Sequence, residues 1–226
     1  MQVRFINRER LTDYAKRVEE KACQQDGADI TIFSFMGMQE VSYEKELKGE
    51  TANFEDTAKL SKLLKSTVVC GCVTDMCGHK RKSAVVAENG RLLGVSDMLN
   101  AVDGEVSSGA TLCVYETKVG KMGVVVGEDI LFYDVVKALC MCGSDFLVCP
   151  YVKADGGAAL LIRAWAYSFG APVFFCAEGY SAAADVTGDL VFSSPQNIAE
   201  VELTRRKEYH LVETRRRGVY KPPAST

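Results

Sequence analysis

The stretch "KVGKMGVVVGEDILFYD", residues 118–134, carries the strongest indication of the fold. Its apolar run at 122–126 predicts a buried strand, and the residues from Gly127 onward predict a sharp turn into a helix. Many hydrolases hold their nucleophile at a strand–turn–helix elbow of this kind. Here the residue at the turn is Gly127, so the elbow has no side chain with which to attack a substrate.

Length and composition favour one globular domain. A chain of 226 residues suits one α/β domain, and we predict a single domain over 1–226 with a basic C-terminal tail from about 204. Apolar residues make up 47% and charged residues 25%, as in ordinary soluble proteins. The net charge of −3 argues against a general nucleic-acid binder. We interpret the basic tail as solvated surface.

The sequence also predicts where the protein resides. No apolar run approaches the roughly 18 residues of a membrane span, and the N-terminus "MQVRFINRERLTDY" has no apolar signal core. Nine cysteines in a chain that is not exported are expected to be reduced thiols. We therefore expect a cytoplasmic protein with no membrane partner.

Strands alternate with helices along the chain, which predicts mixed α/β sheets. The strongest single hairpin signal is Asn89-Gly90, within 82–99. The pattern leaves open whether a strand forms near "QVRFIN" at the N-terminus. The predicted helices cover 10–26, 54–65, 130–142 and 155–169; the predicted strands cover 27–35, 66–73, 145–151 and 171–179, with further hairpins in 110–127 and around 187–192.

Five segments, in this order, resemble the nitrilase or carbon–nitrogen hydrolase superfamily, whose members hydrolyse amides, nitriles and carbamoyl groups. They are "GADITIFSF" (27–35), "SAVVAENGRLLGVSDML" (83–99), "KMGVVVGEDILF" (121–132), "CGSDFLVCPY" (142–151) and "LIRAWAYSFGAPVFF" (161–175). The resemblance implies an α-β-β-α four-layer sandwich, with two mixed β-sheets covered by helices. It also implies a homodimer in which helix 130–142 and the helix carrying Trp165 face the partner.

The same resemblance locates the catalytic positions. The superfamily uses a cysteine nucleophile, a glutamate base and a lysine that stabilises the tetrahedral intermediate. In this sequence the glutamate position falls on Phe35, the lysine position on Met98 and the cysteine position on Gly127. All three replacements are apolar or lack a side chain, so the family mechanism is not expected to run.

Other residues offer substitutes. Cys149 is the nearest candidate thiol, with Glu128 or Glu105 as a base, although core packing is the more ordinary role of a cysteine. For Asp129, helix capping is the favoured interpretation. A rebuilt pocket is expected to be lined by Phe35, Met98, Gly127, Glu128, Cys149 and Cys176.

Metal and cofactor sites are not expected. The segment "CGCVTDMCGH" contains Cys70, Cys72, Cys77 and His79, but their spacing is not that of a standard zinc finger or knuckle. The glycine pair in "DGGAA" (155–159) fits neither a P-loop nor a dinucleotide fingerprint. We predict no metal and no cofactor.

Three functions remain open. The first is a nitrilase-like protein that has lost amidase or nitrilase chemistry and binds a small molecule or a protein partner, through an enclosed cavity at Phe35, Met98 and Gly127 or its rim. The second is a carbon–nitrogen hydrolase with a relocated cysteine nucleophile. The third is a purely structural dimeric scaffold, in which side chains fill the former pocket.

Overall fold

Two β-sheets stacked face to face form the centre of the chain, in a computed structural model that describes residues 1–20, 27–38, 40–102, 104–154 and 156–204. The helices are α1 (Leu11–Glu20), α2 (Tyr43–Lys48), α3 (Asn53–Leu64), α4 (Tyr133–Met141) and α5 (Gly156–Phe169). The strands are β1 (Gln2–Ile6), β2 (Ile30–Phe33), β3 (Glu40–Ser42), β4 (Thr67–Met76), β5 (His79–Glu88), β6 (Arg91–Asp97), β7 (Val114–Thr117), β8 (Gly120–Val124), β9 (Phe146–Lys153), β10 (Val173–Glu178), β11 (Tyr180–Ala184), β12 (Leu190–Ser194) and β13 (Ile198–Glu202).

Both sheets are mixed, as predicted. The first has the strand order β13-β1-β2-β4-β5-β6, with β3 added beside β4. The second has the order β12-β11-β10-β9-β8-β7. In each, three neighbouring strands run parallel at the centre, β1-β2-β4 and β8-β9-β10, and the outer strands along that order are antiparallel. The central strands are buried on both faces, so their sequences are nearly continuous apolar runs.

Side chains alternate between two core layers along each strand. Phe5, Ile32 and Val148 point between the two sheets. Their chain neighbours point the other way: Phe33 packs under α1 and α3, and Cys149 packs under α4 and α5. The result is the predicted α-β-β-α four-layer sandwich.

The hairpin at Asn89-Gly90 is confirmed. Both residues have positive φ, 51° and 80°, which an Asn-Gly pair adopts at little cost and which matches the twist of paired strands. A second hairpin joins β4 to β5 through Cys77 and Gly78, with φ of 54° and 85°. The prediction ended the first of these strands at 73 and missed this turn, because Cys-Gly is a weak turn signal.

Several elements differ from the predicted boundaries. The strand at "QVRFIN" exists and pairs with β2 and with β13, a strand that was not predicted. The short β3 and α2 were also missed. The helix predicted over 10–26 is present over Leu11–Glu20, and residues 21–26 lie outside the described part of the chain. The basic tail lies outside them from 205 onward. Among the described helices, none is long and apolar enough to cross a membrane.

The layer between the sheets contains a chain of aromatic contacts. The Phe174 ring lies 6.5 Å from the Phe5 ring and 6.1 Å from the Phe146 ring, centroid to centroid, and all three side chains are fully buried. Because these rings come from three strands in two sheets, Phe174 joins the sheets at one point.

We expect Phe174→Ala to lower the free energy of unfolding by about 3–5 kcal/mol, since it leaves a cavity that the sheets cannot close. The measurement is urea unfolding followed by circular dichroism. The control is Leu47→Ala, which truncates a side chain 87% exposed on α2, and which we expect to cost less than about 1 kcal/mol. Equal losses for the two variants would contradict this account of the inter-sheet layer.

Candidate functional site

The elbow at Gly127 has the geometry that the sequence predicted. Strand β8 continues past its last assigned residue, because the Val125 N–H donates to Val148 O at 2.9 Å. Gly127 then adopts φ +52° and begins a 3-10 turn over Gly127–Leu131, and α4 starts two residues later. A positive φ at this point turns the chain sharply out of the sheet, and glycine adopts it without strain.

The three positions assigned to the catalytic residues converge here. A Cβ atom built on Gly127 would lie 3.4 Å from Met98 Sδ and 3.9 Å from Phe35 Cζ. The aliphatic chain of Lys82 lies on another side, with its Cδ at 3.7 Å. These are ordinary van der Waals distances, so the three side chains surround a space next to the glycine that a single carbon atom would fill.

The Phe35 ring is held in place by a second glycine. A Cβ atom on Gly71, in β4, would lie 2.7 Å from Cδ2 of that ring, which is closer than two carbon atoms approach. Phe35 can therefore lie flat on the inner face of the first sheet only because residue 71 has no side chain. Met98 follows β6, is 1% exposed, and its N–H donates to Lys82 O at 2.8 Å.

An ion pair bridges the two sheets beside these apolar side chains. Lys82 Nζ, from β5, donates to Glu128 Oε1 at 2.8 Å, and the two side chains are 14% and 22% exposed. The other carboxylate oxygen, Glu128 Oε2, is buried and makes no hydrogen bond within the described part of the chain. Glu128 thus lies at the predicted site, paired with a lysine that the sequence analysis did not select.

The alternation of side chains along β5 could have identified Lys82 from the sequence as a residue that faces inward. It shares a strand face with Ala84 and Val86, which point between the sheets, so its own side chain must enter the same layer. A lysine on an inward face needs a partner of opposite charge.

Asp129 does not cap a helix, and that prediction was wrong. Its carboxylate is 1% exposed and accepts hydrogen bonds from Leu99 N (2.7 Å), Asn100 N (3.0 Å) and Asn100 Nδ2 (2.9 Å). Burial raises its pKa, and these donors counteract part of that increase. Asp129 therefore fixes the loop after Met98 against the elbow instead of starting α4.

The two thiols expected in the pocket lie in different layers of the sandwich. Cys149 is fully buried on the helix side of the second sheet, where burial and the nearby carboxylates of Asp129 and Glu128 raise its pKa well above the usual value. Cys176 is enclosed between the sheets, and its thiol faces Asn7 Oδ1 and Ile32 O, each at 3.4 Å. Strand alternation sends the neighbours Val148 and Cys149 to opposite faces of the sheet, so the Cys149 thiol lies under the helices and not between the sheets.

The remaining candidates do not gather at the elbow. Glu105 is exposed in the loop between β6 and β7. Cys70 and Cys72 are buried under the helices of the first sheet, while Cys77 is exposed in the hairpin turn. Within the ranges that the structure describes, no group of three or more Cys, His, Asp or Glu side chains is arranged to hold a metal ion.

Several solved structures share this architecture. An amidase from Nesterenkonia AN1, described as a member of the nitrilase superfamily, superposes with a TM-score of 0.73 at 14% identity over 90% of both chains. The chain has the nitrilase fold. Saccharomyces cerevisiae Nit3, of the same superfamily, gives 0.72 at 15% identity over 100% of this chain and 95% of Nit3. A carbon–nitrogen hydrolase from Helicobacter pylori G27 gives 0.72 at 14% identity over 89% of both. A scan against protein-family models and a search of curated proteins gave no match.

In this nitrilase fold, the three positions that the resemblance assigns to catalysis form an apolar contact. The polar groups beside it, Lys82 and Glu128, come from other positions and bond to each other. The cluster of Phe35, Met98, Gly127, Lys82 and Glu128 is called the elbow cluster below.

We expect Lys82→Met to lower the free energy of unfolding by about 1–2 kcal/mol, because it leaves the mostly buried Glu128 carboxylate without its cation. The double variant Lys82→Met/Glu128→Gln should recover most of that loss, and a double-mutant cycle in urea measures the coupling.

The matched control is Lys80→Met on the same strand face. Its ion pair with Glu40 is about half exposed and screened by solvent, so its removal should lower the free energy of unfolding much less than Lys82→Met does. A double variant no more stable than Lys82→Met would show that the pair is not coupled.

Proposed function

We propose that this protein is a nitrilase-fold protein without amidase or nitrilase chemistry, which acts by association with another protein chain. The observation that carries the proposal is the packing at Gly127, where Met98, Phe35 and the Lys82 chain lie within 4 Å of the Cβ position. Covalent catalysis of the superfamily type needs a nucleophile at this point and room for a substrate carbon next to it. Both are replaced by side-chain contacts.

The polar half of the elbow cluster does not substitute for the triad. Lys82 and Glu128 supply a cation and a carboxylate, but Lys82 Nζ is bonded to Glu128 Oε1 at 2.8 Å. A base without a thiol or hydroxyl to activate generates no nucleophile. We therefore assign this pair a structural role, as a bridge between the sheets.

The alternative of a relocated nucleophile receives less support. Cys149 would need an exposed thiol with a lowered pKa, and the structure gives it no exposed surface and a raised pKa. A small-molecule site at Gly127 itself also receives less support, because Met98, Phe35 and the Lys82 chain bound the space next to the glycine to about one carbon atom.

The surface offers an association face on the helices of the second sheet. Large apolar side chains are exposed on and beside α4 and α5: Leu131, Tyr133, Met141, Leu160 and Tyr167. Contiguous exposed apolar groups of this kind mark protein interfaces. We propose that this face forms a homodimer, as the resemblance implies.

We also propose that the protein resides in the cytoplasm. All eight cysteines that the structure describes are free thiols, which fits a reducing compartment. The acidic overall balance, −3, and the composition give no support to nucleic-acid or membrane partners.

Ammonia release tests the loss of chemistry. With a panel of primary amides, nitriles and carbamoyl compounds, we expect the purified protein to release no ammonia above a buffer blank, because no nucleophile reaches the elbow. An active nitrilase-superfamily amidase serves as the positive control. Release that disappears in Cys149→Ser would overturn the proposal in favour of the relocated enzyme.

Sedimentation velocity tests the association face. We expect the wild-type chain to sediment as a dimer and Leu160→Glu/Tyr167→Glu to sediment as a monomer, because two buried carboxylates oppose the interface. Leu47→Glu, which changes an 87% exposed leucine on α2, should remain dimeric. A monomeric wild-type protein at high micromolar concentration would contradict this face as a dimer interface.

A further inference from the structure

A concave site lies on the opposite side of the molecule from α4 and α5. A groove of about 470 Å³ opens between α2, the turn after it, the start of α3 and the edge strand β6. Its volume is within the range of small-molecule sites. The residues that line it are Tyr43, Glu46, Leu47, Gly49, Thr51, Ala52, Phe54, Glu55, Leu92 and Val95.

Two aromatic rings form one wall of the groove. The Tyr43 and Phe54 rings lie 5.5 Å apart, centroid to centroid, with their planes inclined at 56°. At this distance the two rings pack against each other, and the electron-rich face of an aromatic ring attracts organic cations. Leu47 and Leu92, exposed by 87% and 42%, add apolar surface on which the hydrocarbon part of a ligand can rest.

The charge of the groove has one sign. The described lining includes the carboxylates of Glu46 and Glu55 and no lysine or arginine. Glu55 also pairs with Lys59 at 2.9 Å, so its charge is partly neutralised. Glu46 instead accepts from the neutral donors Asn53 N (3.0 Å), Asn53 Nδ2 (2.9 Å) and Phe54 N (3.2 Å), so its negative charge is not cancelled by those bonds.

Two further observations concern the charges at the groove, namely the ionisation of Glu46 and the pairing of Arg81. Burial opposes ionisation of Glu46, but the hydrogen bonds outweigh it and lower its pKa, so the carboxylate is anionic at neutral pH. On the Tyr43 side, the neighbouring Arg81 guanidinium is paired with Asp97 at 3.3 Å.

We propose that this groove is a binding site for a small organic cation, such as a quaternary or alkyl ammonium, with its cationic head against Tyr43 and Phe54 and its charge balanced by Glu46. The combination of paired rings, an unneutralised carboxylate and an apolar floor is the chemistry that recognises ammonium groups. This site shares no residue with the elbow cluster, so the proposal stands independently of the proposed function.

Two probes of the same shape separate charge from apolar contact. Choline and 3,3-dimethylbutan-1-ol differ by replacement of the ammonium nitrogen with carbon. In amide NMR titrations of the full chain, we expect choline to give saturable shifts at Tyr43, Phe54 and Leu92. Its affinity should exceed that of the neutral alcohol by at least about fivefold.

The variant Tyr43→Leu keeps the apolar area and removes one ring. It should reduce the affinity for choline by at least about threefold, whereas Tyr180→Leu, a tyrosine on β11 of the second sheet, should leave it unchanged. Equal binding of choline and the alcohol would overturn the cation site and leave an apolar groove. Shifts that do not saturate, or that map to α5, would overturn the site altogether.

Discussion

Period-2 alternation in stacked sheets is the constraint on which the structure depends. Each central strand must supply apolar side chains to two layers at once, one between the sheets and one under the helices. Ile32 and Phe33, or Val148 and Cys149, are neighbours in the chain and belong to different cores. Shifting any of these strands by one residue would exchange the two layers, so the register is fixed wherever both faces are buried.

At the elbow cluster, the same alternation sends apolar side chains of the first sheet toward the turn at Gly127. Met98 and Phe35 reach Gly127 from elements of the first sheet, and the missing side chain at Gly71 gives the phenyl ring its place. This contact adds buried apolar surface to the layer between the sheets, because Met98 is 1% exposed and packs with the other side chains of that layer. Lys82 and Glu128 lie beside this contact, largely removed from water, and form an ion pair with each other.

Most of the fold was predictable, because its elements have strong local signals. The Asn89-Gly90 hairpin, the apolar runs of β9 and β10 and the helical spacing of α3 were all found. The strand β13 and the helix α2 were not, because β13 alternates charged and apolar residues as an edge strand does and α2 is a six-residue helix with no buried side chain. Asp129 was assigned the wrong role for a related reason: its hydrogen-bond partners, Leu99 and Asn100, are 30 and 29 residues away in sequence.

The sequence by itself determined the mixed α/β class and the strand–turn–helix elbow, which follow from residue type and short-range spacing. The four-layer sandwich and the three catalytic positions came from the resemblance, and the sequence has Phe35, Met98 and Gly127 at those positions. Only the tertiary structure decided that Phe35, Met98 and Gly127 are in contact, that Lys82 meets Glu128 across the sheets and that Cys149 points away. These facts depend on which strand lies opposite which and on the face that each side chain occupies. Such long-range pairings leave no local pattern, because the residues involved are brought together by the packing of whole sheets.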